Sequence, residues 1–236
     1  MFWEPVTTGR SGAMVARGPG VFRKQVSDQS VDLRIEAERL SWLRAQGIPA
    51  PEVLESRRML LVTRAVPGLT AADLWPTGVR PRVVAALARL TRELHSLSVE
   101  DCPFDRRLDA VIAQALEADV DLGDLDPERL GWSRDRLLEE LLGQRPENED
   151  LVVCHGDLCL PNVILDPDSV EVTGVLDVGR LGVADRWTDL AIGTRSLATP
   201  DNPQFGQWAA EQYLAAYGIE LDHEKSDYYR LLDEFF

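Results

Sequence analysis

Over the first 65 or so residues, short apolar runs alternate with glycine-rich breaks. Val15-Ala16-Arg17, then Gly18-Pro19-Gly20, then Val21 to Val26 read as strand, turn and strand, because β-prone runs are interrupted by turn formers. The period then lengthens. A helix is predicted from Val31 to Ala45, closing at Gly47 with Pro49 just beyond, a normal stop signal. Val53-Leu54 and Met59 to Thr63 predict two further strands, and Pro67-Gly68 breaks the pattern.

Beyond that point helical spacing dominates. Val83, Val84, Leu87, Leu90, Leu94 and Leu97 recur on one face of a long amphipathic helix, with His95 closing its core side. Residues 105–119 and 133–143 predict helices separated by a turn-rich acidic stretch. Leu151-Val152-Val153 leads into a loop, and Val163 to Leu165 with Val170 to Leu176 predicts a hairpin. Helices follow near 186–197, 203–217 and 224–235. The pattern predicts an α+β protein with a small β-rich lobe over residues 1–65 and a larger, mainly helical lobe over 66–236.

Composition narrows the functional classes. A hydrophobic fraction of 44% and a charged fraction of 28% fit a globular chain, and 236 residues suffice for a sizeable core. No apolar run approaches the roughly 18 residues that a membrane span needs. The start, Met1 to Pro5, lacks a basic segment followed by an apolar one, so a cytoplasmic location is expected. Three cysteines, Cys102, Cys154 and Cys159, without a Cys-x-x-Cys pair, argue for free thiols over a disulfide framework or a zinc site. With 40 acidic against 25 basic residues the net charge is -15, which repels nucleic acid and anionic membranes and suits a cationic small molecule. Nothing in the composition sets an oligomeric state.

The chemistry concentrates in His155-Gly156-Asp157-Leu158-Cys159-Leu160-Pro161-Asn162, followed by Leu176-Asp177-Val178-Gly179. Phosphoryl transfer needs a carboxylate near the attacking hydroxyl, oxygen ligands for magnesium, and a cation on the nucleotide phosphates. Asp157 fits the first role, and Asn162 with Asp177 offers the hard oxygen donors of the second. With His95 and His223 remote in sequence, His155 reads as a residue that orients the loop by hydrogen bonds.

The cation is expected from the small lobe. Glu36 shares a helix stripe with Leu40 and Leu43, and a carboxylate turned inward requires a partner. Lys24, on the preceding strand, is that partner, holding its ammonium for the α- and β-phosphates. No Walker A motif occurs; the candidate phosphate-covering loop is Gly9 to Ala13, with Ser11 in reach of phosphate oxygens.

These segments, together with Gly174 to Ala191, Glu36 to Leu43, Gly47-Ile48-Pro49, Leu94 to Leu97 and Leu231 to Phe236, resemble the aminoglycoside 3′-phosphotransferase family. The resemblance covers nearly the whole chain and implies a protein-kinase-like, bilobal fold. It implies Asp157 as catalytic base, Asn162 and Asp177 as magnesium ligands, and Lys24 with Glu36 as the phosphate-holding pair. It further implies Phe22 as the aromatic stacked on adenine and Thr63 to Ala65 as the linker that hydrogen-bonds it. Asp233, Glu234 and the terminal carboxylate of Phe236 would bind the drug amines, with Arg195 nearby, while Asp185 and Asp189 would brace the catalytic loop. The expected cofactors are ATP and Mg2+, and the expected partner is an aminoglycoside. Leu160-Pro161 stands where relatives often carry polar residues.

The C-terminal segment also makes chemical sense by itself. Two acidic side chains and an α-carboxylate lie within four residues and suit a polyamine sugar, with Leu231, Leu232, Phe235 and Phe236 as anchors. The acidic stretch Asp119, Asp121, Asp124, Asp126 and Glu128 admits two readings, a lining of the substrate cleft or a solvated loop. Two other functions fit the same residues: a kinase for another small hydroxylated metabolite or antibiotic, and a non-catalytic nucleotide-binding regulator.

Overall fold

The computed structural model describes residues 3–6 and 13–236; Ser11 and most of the loop around it lie outside them. In chain order the elements are β1 (Glu4–Val6), β2 (Met14–Gly18), β3 (Val21–Gln25), α1 (Leu33–Ala45), β4 (Val53–Arg57), β5 (Leu60–Arg64), β6 (Leu69–Thr70) and α2 (Arg80–His95). They continue with α3 (Leu108–Glu117), α4 (Arg134–Gly143), β7 (Leu151–Cys154), β8 (Val163–Leu165), β9 (Val172–Val175) and β10 (Gly182–Asp185). Three helices close the chain: α5 (Trp187–Ala198), α6 (Gln207–Tyr217) and α7 (His223–Asp233).

The chain divides into two compact units. The first comprises Met1–Ala86 and Leu160–Arg180, the second Leu87–Cys159 and Leu181–Phe236. In the first unit, an antiparallel sheet runs in the order β1-β2-β3-β5-β4, so hairpin neighbours in sequence are neighbours in space. Helix α1 packs on β4 and β5. Its apolar face (Leu33, Ala37, Leu40, Leu43) is buried, and Asp32 caps its start by accepting from Arg34 N. A second sheet orders β6-β8-β9. Gly68 has φ +133°, and a Cβ there would lie 2.4 Å from Leu165 O, so only glycine lets β6 approach β8.

The second unit is mainly helical. Leu90, Leu94, Leu108, Leu137, Leu141, Leu190, Tyr213 and Tyr228 fill its interior. Its one two-stranded sheet among the described residues pairs β7 with β10, Cys154 opposite Gly182.

The predicted elements are present with their ends shifted by a few residues, and three strands escaped the sequence pattern. β1, β6 and β10 have 3, 2 and 4 residues and lack the continuous apolar run that marked β7 and β8; β6 and β10 exist through pairing with partners far along the chain. No helix among the described residues is long and apolar enough to cross a membrane. None of the three cysteines is in a disulfide; Cys102 and Cys154 are buried and Cys159 is partly exposed.

Candidate active site

In the first unit, β3 carries Lys24 opposite Leu61 of β5, and the first turn of α1 carries Glu36. Glu36 is only 7% exposed, and Lys24 Nζ lies 2.9 Å from its Oε2. The same ammonium also bonds Asp177 Oδ1. Burial works against the Lys24 charge, but Glu36 and Asp177 outweigh it and raise its pKa. Asp177 follows β9 and has φ +57°, a left-handed conformation uncommon for a side-chain-bearing residue.

Asn162 ends a short 3-10 turn, Leu160–Asn162, and is nearly buried. Its carbonyl accepts from Leu176 N at 2.8 Å, which fixes the residue before Asp177 beside it. Asp177 Oδ2 has no partner among the described residues, since Lys24 engages Oδ1. An amide oxygen and a carboxylate form an oxygen-only donor set that fits a hard divalent cation such as magnesium.

Phe22 pairs across the sheet with Thr63, and Val21 with Arg64. Ala65 N donates to Gly20 O at 2.9 Å, so its amide is already committed within the sheet margin. A ligand meeting Ala65 through its backbone would therefore find the carbonyl.

In the second unit, β7 delivers His155, Gly156 and Asp157 into a loop. Gly156 has φ +87°, the turn that a side chain would resist. Asp189, on α5 and fully buried, accepts from His155 N and Gly156 N at 2.8 Å each and meets His95 Nε2 at 3.2 Å. Burial alone would raise the Asp189 pKa, but the His95 bond, the neighbouring histidines and the Gly156 amide together lower it. His95 holds Tyr217 OH with its other nitrogen at 2.9 Å, so it braces the loop's support as well as lying on the core side of α2. His155 Nδ1 accepts from Asp157 N at 3.1 Å, a bond that orients Asp157 and commits Nδ1 as an acceptor.

Asp185 departs from its expected role. It accepts from Asp150 N and Trp187 N at 2.8 Å and from Lys225 Nζ at 2.5 Å, tying α5 and α7 to the start of β7 rather than bracing the loop itself. His95, Cys154 and Asp189 place their donor atoms within 4.8 Å of one another. Burial, Asp189 and Asp185 push the Cys154 thiol well above its ordinary pKa, so it stays protonated and is a poor metal ligand.

The end of the second unit gathers opposite charges. Arg195 bonds Asp233 and lies 3.1 Å from Asp126 Oδ2, while Glu234 accepts from Asp126 N at 3.1 and 3.3 Å. Asp126 thus leaves the acidic stretch to join the C-terminal carboxylates, and Arg129 packs behind them, 3.7 Å from Glu234 Oε1. Sequence spacing gave no signal for either contact. Burial and Asp126 push the Glu234 carboxyl up to about 7, against the opposing pull of the Asp126 amide, Arg129 and Arg195. Leu231, Leu232 and Phe235 anchor the segment as expected; Phe236 does not, being 41% exposed with its ring under the Arg106 guanidinium.

The first unit's lysine gripped by two carboxylates, and the second unit's Asp-bearing loop held by a buried carboxylate, are the parts of a phosphotransferase of the protein-kinase-like type. The chain belongs to the phosphotransferase enzyme family, whose model matches residues 3–230. It is 50% identical to an aminoglycoside 3′-phosphotransferase of Streptomyces fradiae, covering 99% of this chain and 95% of that protein. Among solved structures, an aminoglycoside 3′-phosphotransferase of type VIII superposes with a TM-score of 0.91 at 48% identity, over 99% of this chain and 94% of the other. An aminoglycoside phosphotransferase of Streptomyces rimosus, solved with ADP and streptomycin, gives a TM-score of 0.83 at 36% identity, over 99% and 92% of the two chains.

Proposed function

We propose that this enzyme transfers the γ-phosphoryl group of ATP to the 3′-hydroxyl of an aminoglycoside. The observation that carries phosphoryl transfer is the Lys24 ammonium, held by Glu36 at 2.9 Å and also bonded to Asp177. A partly buried lysine kept charged in this way is a cation prepared for phosphate oxygens. The acceptor follows from kinship with 3′-phosphotransferases along almost their full length and from acidic side chains at Asp233 and Glu234 suited to ammonium groups.

In this reading residues 1–65 form the nucleotide lobe and 66–236 the catalytic and substrate lobe. Lys24, held by Glu36, orients the α- and β-phosphates, Phe22 stacks on adenine, the Thr63 to Ala65 backbone meets its edge, and Ser11 reaches a phosphate oxygen. Asp157 positions the 3′-hydroxyl and accepts its proton as the sugar oxygen bonds the γ-phosphorus. The bond from that phosphorus to the β,γ-bridging oxygen breaks and ADP leaves. Asn162 and Asp177 would hold magnesium, whose role when bound is to offset phosphate charge. Asp233, Glu234 and Phe236, with Arg195 beside them, receive the drug.

The test is mass spectrometry of kanamycin, neomycin and amikacin after incubation with the enzyme, ATP and magnesium. A gain of one phosphate, placed at the 3′ position by NMR of the product, is expected for drugs that carry that hydroxyl. ATP consumption with choline, homoserine or a macrolide but with none of the three drugs would transfer the assignment to another kinase. Nucleotide binding without turnover on any acceptor would leave a regulator.

A further inference from the structure

Arg129 is a charged residue almost wholly withdrawn from water: only 3% of it is exposed. A guanidinium removed from water persists only where carboxylates and hydrogen bonds surround it. Its Nη2 donates to Asp227 Oδ1 at 2.6 Å and to Asp227 O at 3.1 Å. Its Nη1 lies 3.8 Å from Asp126 Oδ2 and 3.7 Å from Glu234 Oε1, charge contacts longer than hydrogen bonds. These three carboxylates come from two pieces of chain: Asp126 precedes the 3-10 turn Pro127–Arg129, while Asp227 lies on helix α7 and Glu234 directly after it.

Arg195 shares only Asp126 with Arg129, reaching it from α5 and bonding Asp233 besides, and its side chain is 27% exposed against 4% for Arg129. An incoming ammonium group can therefore replace Arg195 at Asp126, beside which Glu234 accepts from the Asp126 amide with its side chain 5% exposed, whereas Arg129 stays behind both. We propose that Arg129 is a positioning residue for the substrate subsite, holding Asp126 and Glu234 side by side so that they receive the drug's ammonium groups together. This rests on the aminoglycoside reading above and adds Asp126 and Arg129 to the subsite.

Two adjacent carboxylates repel, and one of them takes up a proton unless cations oppose it. The groups around Glu234 are Asp126 and Arg129 from the loop, Arg195 from α5, and Asp233 beside it, with Asp227 and Arg230 on α7. Removing Arg129 leaves Arg195 as the principal opposing cation, so Glu234 then loses its proton at a higher pH. Ammonium binding needs the ionised form, and the pH below which drug affinity falls shifts upward with it.

Arg129→Met and Arg129→Lys, compared with wild type, test this through KM for kanamycin and for ATP across pH 6 to 9. Arg129→Met is expected to raise the kanamycin KM about tenfold at neutral pH, leave the ATP KM within about twofold, and move the rise in kanamycin KM to higher pH. Arg129→Lys, which keeps the charge, should recover most of the affinity. A carboxyl-detected NMR titration of drug-free protein should show the Glu234 midpoint displaced upward in Arg129→Met. Equal rises in both KM values, or an unmoved Glu234 midpoint, would overturn the proposal. Should Arg129→Met not fold, Asp227→Ala removes the shortest anchor of Arg129 at a carboxylate whose side chain is 62% exposed. A kanamycin KM raised about threefold is expected there, and an unchanged KM with an unchanged midpoint counts against the proposal. Wild type that phosphorylates no aminoglycoside sinks the functional reading alone, because the Glu234 titration is read without substrate.

Discussion

At the scale of single residues, Glu234 combines two opposing demands. Its carboxyl titrates near 7, far above an ordinary glutamate, because it is buried beside Asp126. The folded protein therefore binds that proton more tightly than the unfolded chain. The stability this contributes is present below the ordinary glutamate range and is lost as pH rises through about 7. In the proposed reading drug binding runs the other way, because an ammonium group requires the carboxylate. Glu234→Gln should flatten the change of Tm between about pH 5.5 and 8, measured by calorimetry, and should weaken drug binding most at the alkaline end. Asp157 makes a different kind of prediction. Asp157→Ala removes the proposed proton acceptor and leaves the Lys24 grip untouched, so kcat should fall by about a thousandfold or more with ATP affinity changed only a few-fold. Single-turnover kinetics with a nucleotide titration separate the two effects. Near-normal turnover would exclude Asp157 as the base.

At the scale of elements, the loop after β7 takes its shape from a helix far along the chain. Asp189 on α5 holds two successive amides, His155 and Gly156, and meets His95 of α2 from the other side. Asp189→Ala leaves two buried amides and a histidine without their acceptor, and a loss of roughly 3–5 kcal/mol is expected from denaturant unfolding. The folded state lowers the Asp189 pKa, so its contribution is complete above the ordinary aspartate range and is lost as pH falls through the lowered value. Asp189→Asn should accordingly soften the acid limb of the stability profile. The helices that carry this support were legible in the sequence because their apolar positions repeat over 12 to 16 residues. Strands β6 and β10 were not, since a run of 2 or 4 residues acquires strand geometry only from its partner.

At the scale of the whole molecule, charge favours a cationic acceptor. A net charge of -15 raises the local concentration of a polyamine drug near the protein, and salt screens that attraction over about 8–10 Å. The kanamycin KM should climb several-fold between about 0.05 and 0.5 M salt, more steeply than the KM of a drug with fewer amines. Steady-state kinetics at fixed magnesium check this, and a flat response would argue against electrostatic recognition. Deleting residues 233–236 removes Asp233 and Glu234 together, so the drug KM should rise more than the ATP KM. Equal effects on both would count against the amine subsite.

The chain by itself determined the helical periods, the Asp-x4-Asn loop, the later Asp177 and the inward-facing Glu36 that required a cation. These are local signals: a period, a spacing, or a charge on an apolar stripe is written in consecutive residues. Tertiary structure alone decided that Asp189 carries the loop from His155 to Asp157 while Asp185 ties α5 and α7, although both stand in the same short stretch. It also decided that Asp126, one of five similar acids, pairs with Glu234, and that Arg129 is buried behind them. Which carboxylate meets which cation depends on distances closed by packing between segments about a hundred residues apart, and spacing along a chain holds no record of those distances.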